Sequence, residues 1–112
     1  MIKKISSLLY LHIFFLSAFT QEKFQLAPPF MKYSSVFFTQ QATVTLLFAQ
    51  PETVIRYTVS GEDPTELSQP YNGSFTISKN FTTVKAKVFG KDFSPSETVQ
   101  ATFVKDGLPL KK

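Results

Sequence analysis

Apolar and polar residues alternate with a period of two along much of the chain. In "ATVTLLF" (42–48), Ala42, Val44, Leu46 and Phe48 share one face while Thr43 and Thr45 take the other. "TVIRYTV" (53–59) sets Ile55, Tyr57 and Val59 against Arg56 and Thr58. The cleanest run is "TTVKAKVF" (82–89), with Val84, Ala86 and Val88 inward and Lys85 and Lys87 outward. "ETVQATFV" (97–104) repeats it with Val99, Ala101 and Phe103, and "SSVFFT" (34–39) and "SFTI" (74–77) are shorter candidates. Such alternation gives a strand one buried and one wet face. Turn residues fall between the runs: "QPE" (50–52), "GEDP" (61–64), "YNG" (71–73) and "SPS" (94–96). About seven short strands with turn signals every ~8–12 residues predict an all-β fold, an immunoglobulin-like or fibronectin III-like sandwich.

The first twenty residues follow a different rule. "MIKKISSLLYLHIFFLSAFTQ" opens with Lys3 and Lys4, continues through an apolar run, and ends in small or polar residues. That is the layout of a secretory signal peptide, expected over 1–20. An N-terminal membrane anchor is the competing reading. The run is short of the ~20 apolar residues a span needs, and His12 interrupts it. No membrane span is expected once the leader is removed, and the product is expected outside the cytoplasm: secreted, periplasmic or on the cell surface. Residues 21–33, with Pro28 and Pro29, read as an extended lead-in. Residues 34–104 form the predicted sandwich, and 105–112 a tail. "VKDGLPLKK" reads as a linker leaving the last strand, so a fragment or a truncated gene is expected.

Composition narrows the chemistry. A chain of 112 residues allows one small domain. Loss of Lys3 and Lys4 with the leader reduces the 12 basic residues to 10 against 8 acids, a net charge near +2. Lys111 and Lys112 supply that excess, so no basic face points to nucleic acid. Lacking Cys, the domain must be held by its core, which draws on ten Phe and three Tyr beyond residue 20.

The only His, His12, lies in the leader, so a Ser or Thr nucleophile lacks its usual base. Zinc or copper would lack His and Cys ligands. No phosphate-binding glycine loop occurs. No catalytic, cofactor or metal residue is therefore assigned. Glu62, Asp63 and Glu66 form the one acidic cluster. A glycosidase pair must face a substrate from opposed positions, whereas these three share a loop. They read as a solvated turn, with calcium ligation as the alternative. Lys85, Lys87 and Lys91 make a short basic row: either wet, edge-protecting residues or a patch for acidic glycans. "NGS" at Asn72 and "NFT" at Asn80 fit the N-glycosylation pattern. Leader and composition look bacterial, so both are read as chance matches.

The stretch from Val54 to Phe103 resembles the chitobiase/β-hexosaminidase C-terminal-type domain, also called the Fn3-associated domain. Its pattern runs close to "I-x-Y-T-x-D-G-S-x-P-T … S-x-x-Y … I … T-x-x-K-A-x-x-F … G … P-S". Ile55, Tyr57, Thr58, Gly61, Pro64, Thr65, Ser68, Tyr71 and Ile77 match its first part. Thr83, Lys85, Ala86, Phe89, Gly90, Pro95 and Ser96 match the rest. The departure is "SGE" for "DGS", with Ser60 in the Asp position and Glu62 in the Ser position, which removes an Asp that could bond turn amides. The resemblance implies an immunoglobulin-like sandwich that serves as a non-catalytic accessory module. It implies a partner: a catalytic glycosidase domain of the kind found in β-hexosaminidases, chitobiases and α-fucosidases, or a cell-surface glycan. A carbohydrate-binding role needs rings free to stack on sugars, for which Tyr33, Tyr71 and Phe93 are the candidates. A fragment of a larger secreted glycoside hydrolase is the further alternative.

Overall fold

A computed structural model describes residues 23–106. The expected leader (1–20) and most of the expected tail lie outside the described residues. Eight strands occur in chain order: β1 (Phe30–Lys32), β2 (Phe37–Phe38), β3 (Ala42–Leu47), β4 (Thr53–Thr58), β5 (Gln69–Pro70), β6 (Phe75–Ile77), β7 (Phe81–Gly90) and β8 (Val99–Lys105). They build two sheets, one of three strands in the order β1-β3-β6 and one of five in the order β2-β8-β7-β4-β5. The fold is an all-β sandwich, as the alternation predicts. The described residues contain no helix, and so none long and apolar enough to cross a membrane.

The core follows from the period of two. From the three-stranded sheet, Ala42, Val44 and Leu46 on β3 and Ile77 on β6 are buried, with Met31 and Phe75 packed beside them. From the five-stranded sheet come Phe38, Val84, Ala86 and Phe103, with Ile55, Tyr57, Val99 and Ala101 packed against them. Register explains the grouping. Ile55 pairs with Val88 and Tyr57 with Ala86 across β4 and β7, and Val84 pairs with Ala101 across β7 and β8. Directly opposed residues share a face, so one inward residue brings its partners inward with it.

Three aromatic rings close one side of the core. Tyr57 stacks on Phe75 with centroids 4.4 Å apart, which joins the two sheets. Tyr71 meets both edge-on, at 6.3 and 6.4 Å. Edge-to-face contacts suit the ring quadrupoles.

Four details differ from the sequence expectation. β1 lies within the segment read as a lead-in. It pairs with β3, Met31 opposite Leu46, and Leu26 upstream of it is buried. The whole stretch is tied down: the Leu26 N–H donates to the Ser94 carbonyl at 3.0 Å, and the Ser94 N–H to the Phe24 carbonyl at 2.9 Å. Only two residues of 34–39 form a strand, and that strand runs parallel to β8. β5, which contains Pro70, is unannounced; it sits at the sheet edge, where a residue without an N–H breaks no ladder. Val59 is 48% exposed rather than buried with Ile55 and Tyr57. β4 ends at Thr58, so alternation no longer fixes the direction of the next side chain.

Candidate functional site

The acidic loop is built as a turn. Gly61 takes φ +89, a conformation that glycine adopts without a Cβ penalty. Around it the hydroxyl residues of the motif bond the backbone. The Thr58 hydroxyl donates to the Glu62 carbonyl (2.6 Å), and the Thr65 N–H donates to the Ser68 hydroxyl (2.8 Å). The Ser60 hydroxyl accepts the Glu62 N–H at 3.3 Å. Ser60 thus supplies a longer version of the amide contact that an Asp at that position could make. Asp63 is paired with Lys85 at 3.1 Å, while Pro64 is buried. The Tyr71 N–H then donates to the Ile55 carbonyl (2.8 Å) and returns the chain to β4. Among the described residues no three His, Cys, Asp or Glu are grouped to hold a metal ion.

A recess lies elsewhere. Over the end of the five-stranded sheet where β4 begins and β7 ends, a groove of about 800 Å³ opens on the outer face. That lies in the ~300–1,000 Å³ range usual for small-molecule sites. Its floor is Val54, Arg56 and Phe89; its walls include Phe93 and Glu66. Lys23, Glu52 and Lys91 also line it.

Each wall has a local cause. Gly90 lets the 91–95 turn fold tightly back, since a Cβ there would come within 2.9 Å of Phe93 Cδ2. Ser96, buried, anchors the far end of that turn. Its hydroxyl accepts the Val88 N–H (2.9 Å) and donates to the Glu97 carbonyl (2.8 Å). Its own N–H donates to the Val88 carbonyl (3.0 Å). On the opposite wall, Glu52 follows Pro51 with φ +62. This is the turn position where glycine is usual, and a residue with a Cβ is strained there.

The electrostatics around Arg56 are unbalanced. Arg56 and Lys87 stand directly opposite each other on β4 and β7, and like charges so placed repel. Neither has an ion-pair partner among the described residues. Arg56 gives one Nη1 hydrogen bond to the Ser68 carbonyl (2.8 Å), and its Nε is buried without an acceptor. The Lys87 ammonium lies 5.8 Å from the centroid of the Phe89 ring, a cation–π contact that offsets part of the repulsion.

The residues singled out from sequence are dispersed. Tyr71 belongs to the packed ring trio. Tyr33 sets its ring edge-on against Phe103 at 5.1 Å. Phe93 lines the groove. The basic row is divided: Lys85 holds Asp63, Lys87 leans on Phe89 and Lys91 lines the groove. Arg56 and Lys23 carried no signal in the sequence, and Glu66 stood out only as one acid of its loop, because the three come together only when β4, the acidic loop and the N-terminal segment pack.

Comparison with known families decides the classification. A family model described as Chitobiase/beta-hexosaminidase C-terminal domain matches residues 34–102. The chain belongs to that family. No curated protein and no solved structure matches the chain. The family is one of accessory C-terminal domains of glycosidases, and no catalytic domain is found alongside it. Its motif positions in this chain have structural work. Ile55, Tyr57 and Ala86 pack the core. Thr58, Thr65 and Ser68 stitch the turn. Ser96 clamps β7.

Proposed function

We propose that this chain is a non-catalytic accessory module of an exported carbohydrate-active protein, working beside a glycosidase domain at the cell surface, in the periplasm or outside the cell. Family membership over 34–102 carries the reading. The fate of the acidic loop supports it. Asp63 is engaged by Lys85 and Glu62 is held through its backbone, which leaves Glu66 as the one acid of that loop to reach the groove. The test is a chromogenic hexosaminide and fucoside assay on the purified chain. No turnover is expected. Turnover that disappears in Glu62→Gln or Glu66→Gln would overturn the reading.

The alternative, a carbohydrate-binding module, is favoured by one observation: Phe93, a candidate sugar contact, lines a groove of suitable size.

A further inference from the structure

We infer that the groove over β4 and β7 is a binding site for an acidic sugar, a glycan unit bearing a carboxylate or a sulfate, with Arg56 as its principal anion contact. The sugar half of this inference rests on the carbohydrate-related function proposed above; the acid half rests on the groove itself.

Charge comes first. Lys23, Arg56 and Lys91 line the groove against Glu52 and Glu66, and Lys87, just outside that lining, stands opposite Arg56 across β4 and β7. None of these four cations has an ion-pair partner among the described residues. Two of them are held opposite each other by sheet register, so the backbone fixes a repulsion that an anion between them would turn into attraction. Arg56 is also part-buried, with Nε out of water and unbonded. A guanidinium partly withdrawn from water and short of acceptors gains more from an anion than a fully exposed one does. One Nη1 bond to the Ser68 carbonyl fixes the plane of the fork, and the Nη2 donors remain for a ligand. Planar forks match carboxylate and sulfate oxygens.

Shape supplies the sugar. Phe93 forms one wall and is held by its close approach to Gly90. An aromatic wall with a few converging polar groups is the usual make-up of a small-molecule site. The strain at Glu52 lies on the opposite wall, and such strain clusters at ligand sites. Glu66 shares the groove with Arg56 without pairing with it, and its charge opposes an anion.

The experiment is a calorimetric titration of the chain at low salt with three tetrasaccharides: a galacturonide, its neutral methyl ester, and a sulfated neutral glycan. The galacturonide or the sulfated glycan should bind, weaken as salt rises, and identify the acid group; the methyl ester should not. Arg56→Gln should weaken binding about tenfold or more. Lys91→Ala, at an exposed turn that cannot disturb folding, should weaken it about threefold. Glu66→Gln should tighten it two- to threefold or so, and Lys79→Gln, on a remote turn, should change nothing. No binding to any acidic glycan, equal binding of the methyl ester, or an affinity untouched by both Arg56→Gln and Lys91→Ala would overturn the inference. Hydrolysis of the sugars during the titration would instead overturn the accessory reading.

Discussion

Phe81 and Phe89 are the same residue type on the same strand and the same outer face, yet Phe81 is 67% exposed and Phe89 8%. Their neighbours explain the difference. At the Phe81 end, β2, β8 and β7 line up Phe37, Val104 and Phe81 in register, and Phe37 is 62% exposed. The next polar groups along that face, the hydroxyls of Thr83 and Thr102, satisfy each other at 2.8 Å. At the Phe89 end, the 50–53 and 91–95 turns and Glu66 surround the ring, and the cations beside it form no ion pair among the described residues. One end offers apolar area without donors; the other offers a shaped recess with unused donors. A site that selects one ligand needs the second kind, because polar groups left unmatched penalise the wrong ligand.

The largest expected contrast is between alanine variants at the two ends. Phe89→Ala should cost about 3 kcal/mol of unfolding free energy, as a buried ring is lost. Phe81→Ala should stay within about 0.5 kcal/mol of the parent chain. Urea melts of both check this, and equal losses would erase the distinction.

Ser96→Ala comes next. It leaves the buried Val88 N–H without its acceptor, a loss of about 1–3 kcal/mol. It should also loosen the 91–95 turn, seen as faster amide exchange there but not at Phe81.

Gly90→Ala should cost about 1–2 kcal/mol, because the added Cβ would meet Phe93 at 2.9 Å and the Glu52 carbonyl oxygen at 3.3 Å. It should weaken acidic-sugar binding as well, since the Phe93 wall must move. Unchanged binding would show that this wall is dispensable.

Smallest is Glu52→Gly, which relieves a positive φ and should gain about 0.5–1 kcal/mol. With one carboxylate gone from the groove, affinity for an acidic sugar should rise slightly. A fall in melting temperature would show that the Glu52 side chain holds the wall.

The sandwich was legible because its long strands keep a strict period. Val84, Ala86 and Val88, read inward from alternation alone, are all fully buried. The 53–59 run held until Val59, where the strand stops before the pattern does. Two short elements escaped. Phe30–Lys32 is too brief to show a period and follows two prolines, and Gln69–Pro70 contains a residue rarely counted toward a strand. The parallel pairing of β2 with β8 is a tertiary fact that no local pattern encodes.

The groove was legible only in fragments. Phe93 and Lys91 drew attention separately, one as a ring and the other as part of a lysine row. Arg56 looked like an ordinary wet residue on β4. Its meaning comes from register, which sets it opposite Lys87, and from the loop that brings Ser68 to its Nη1. The acidic loop drew the eye as possible chemistry and is mainly a stitched turn, with Glu66 alone reaching the groove.

Recognition belongs to the covered end of the outer face and not to the bare one. The most direct measurement is a ¹⁵N NMR titration of the chain with a tetragalacturonide, following backbone amides and the Arg56 Nε–H together. The Arg56 Nε–H and the amides of Glu66, Lys91 and Phe93 should shift in a saturable way, while those of Phe37, Phe81 and Val104 stay in place. Shifts confined to Phe37, Phe81 and Val104, with the Arg56 Nε–H unmoved, would contradict it.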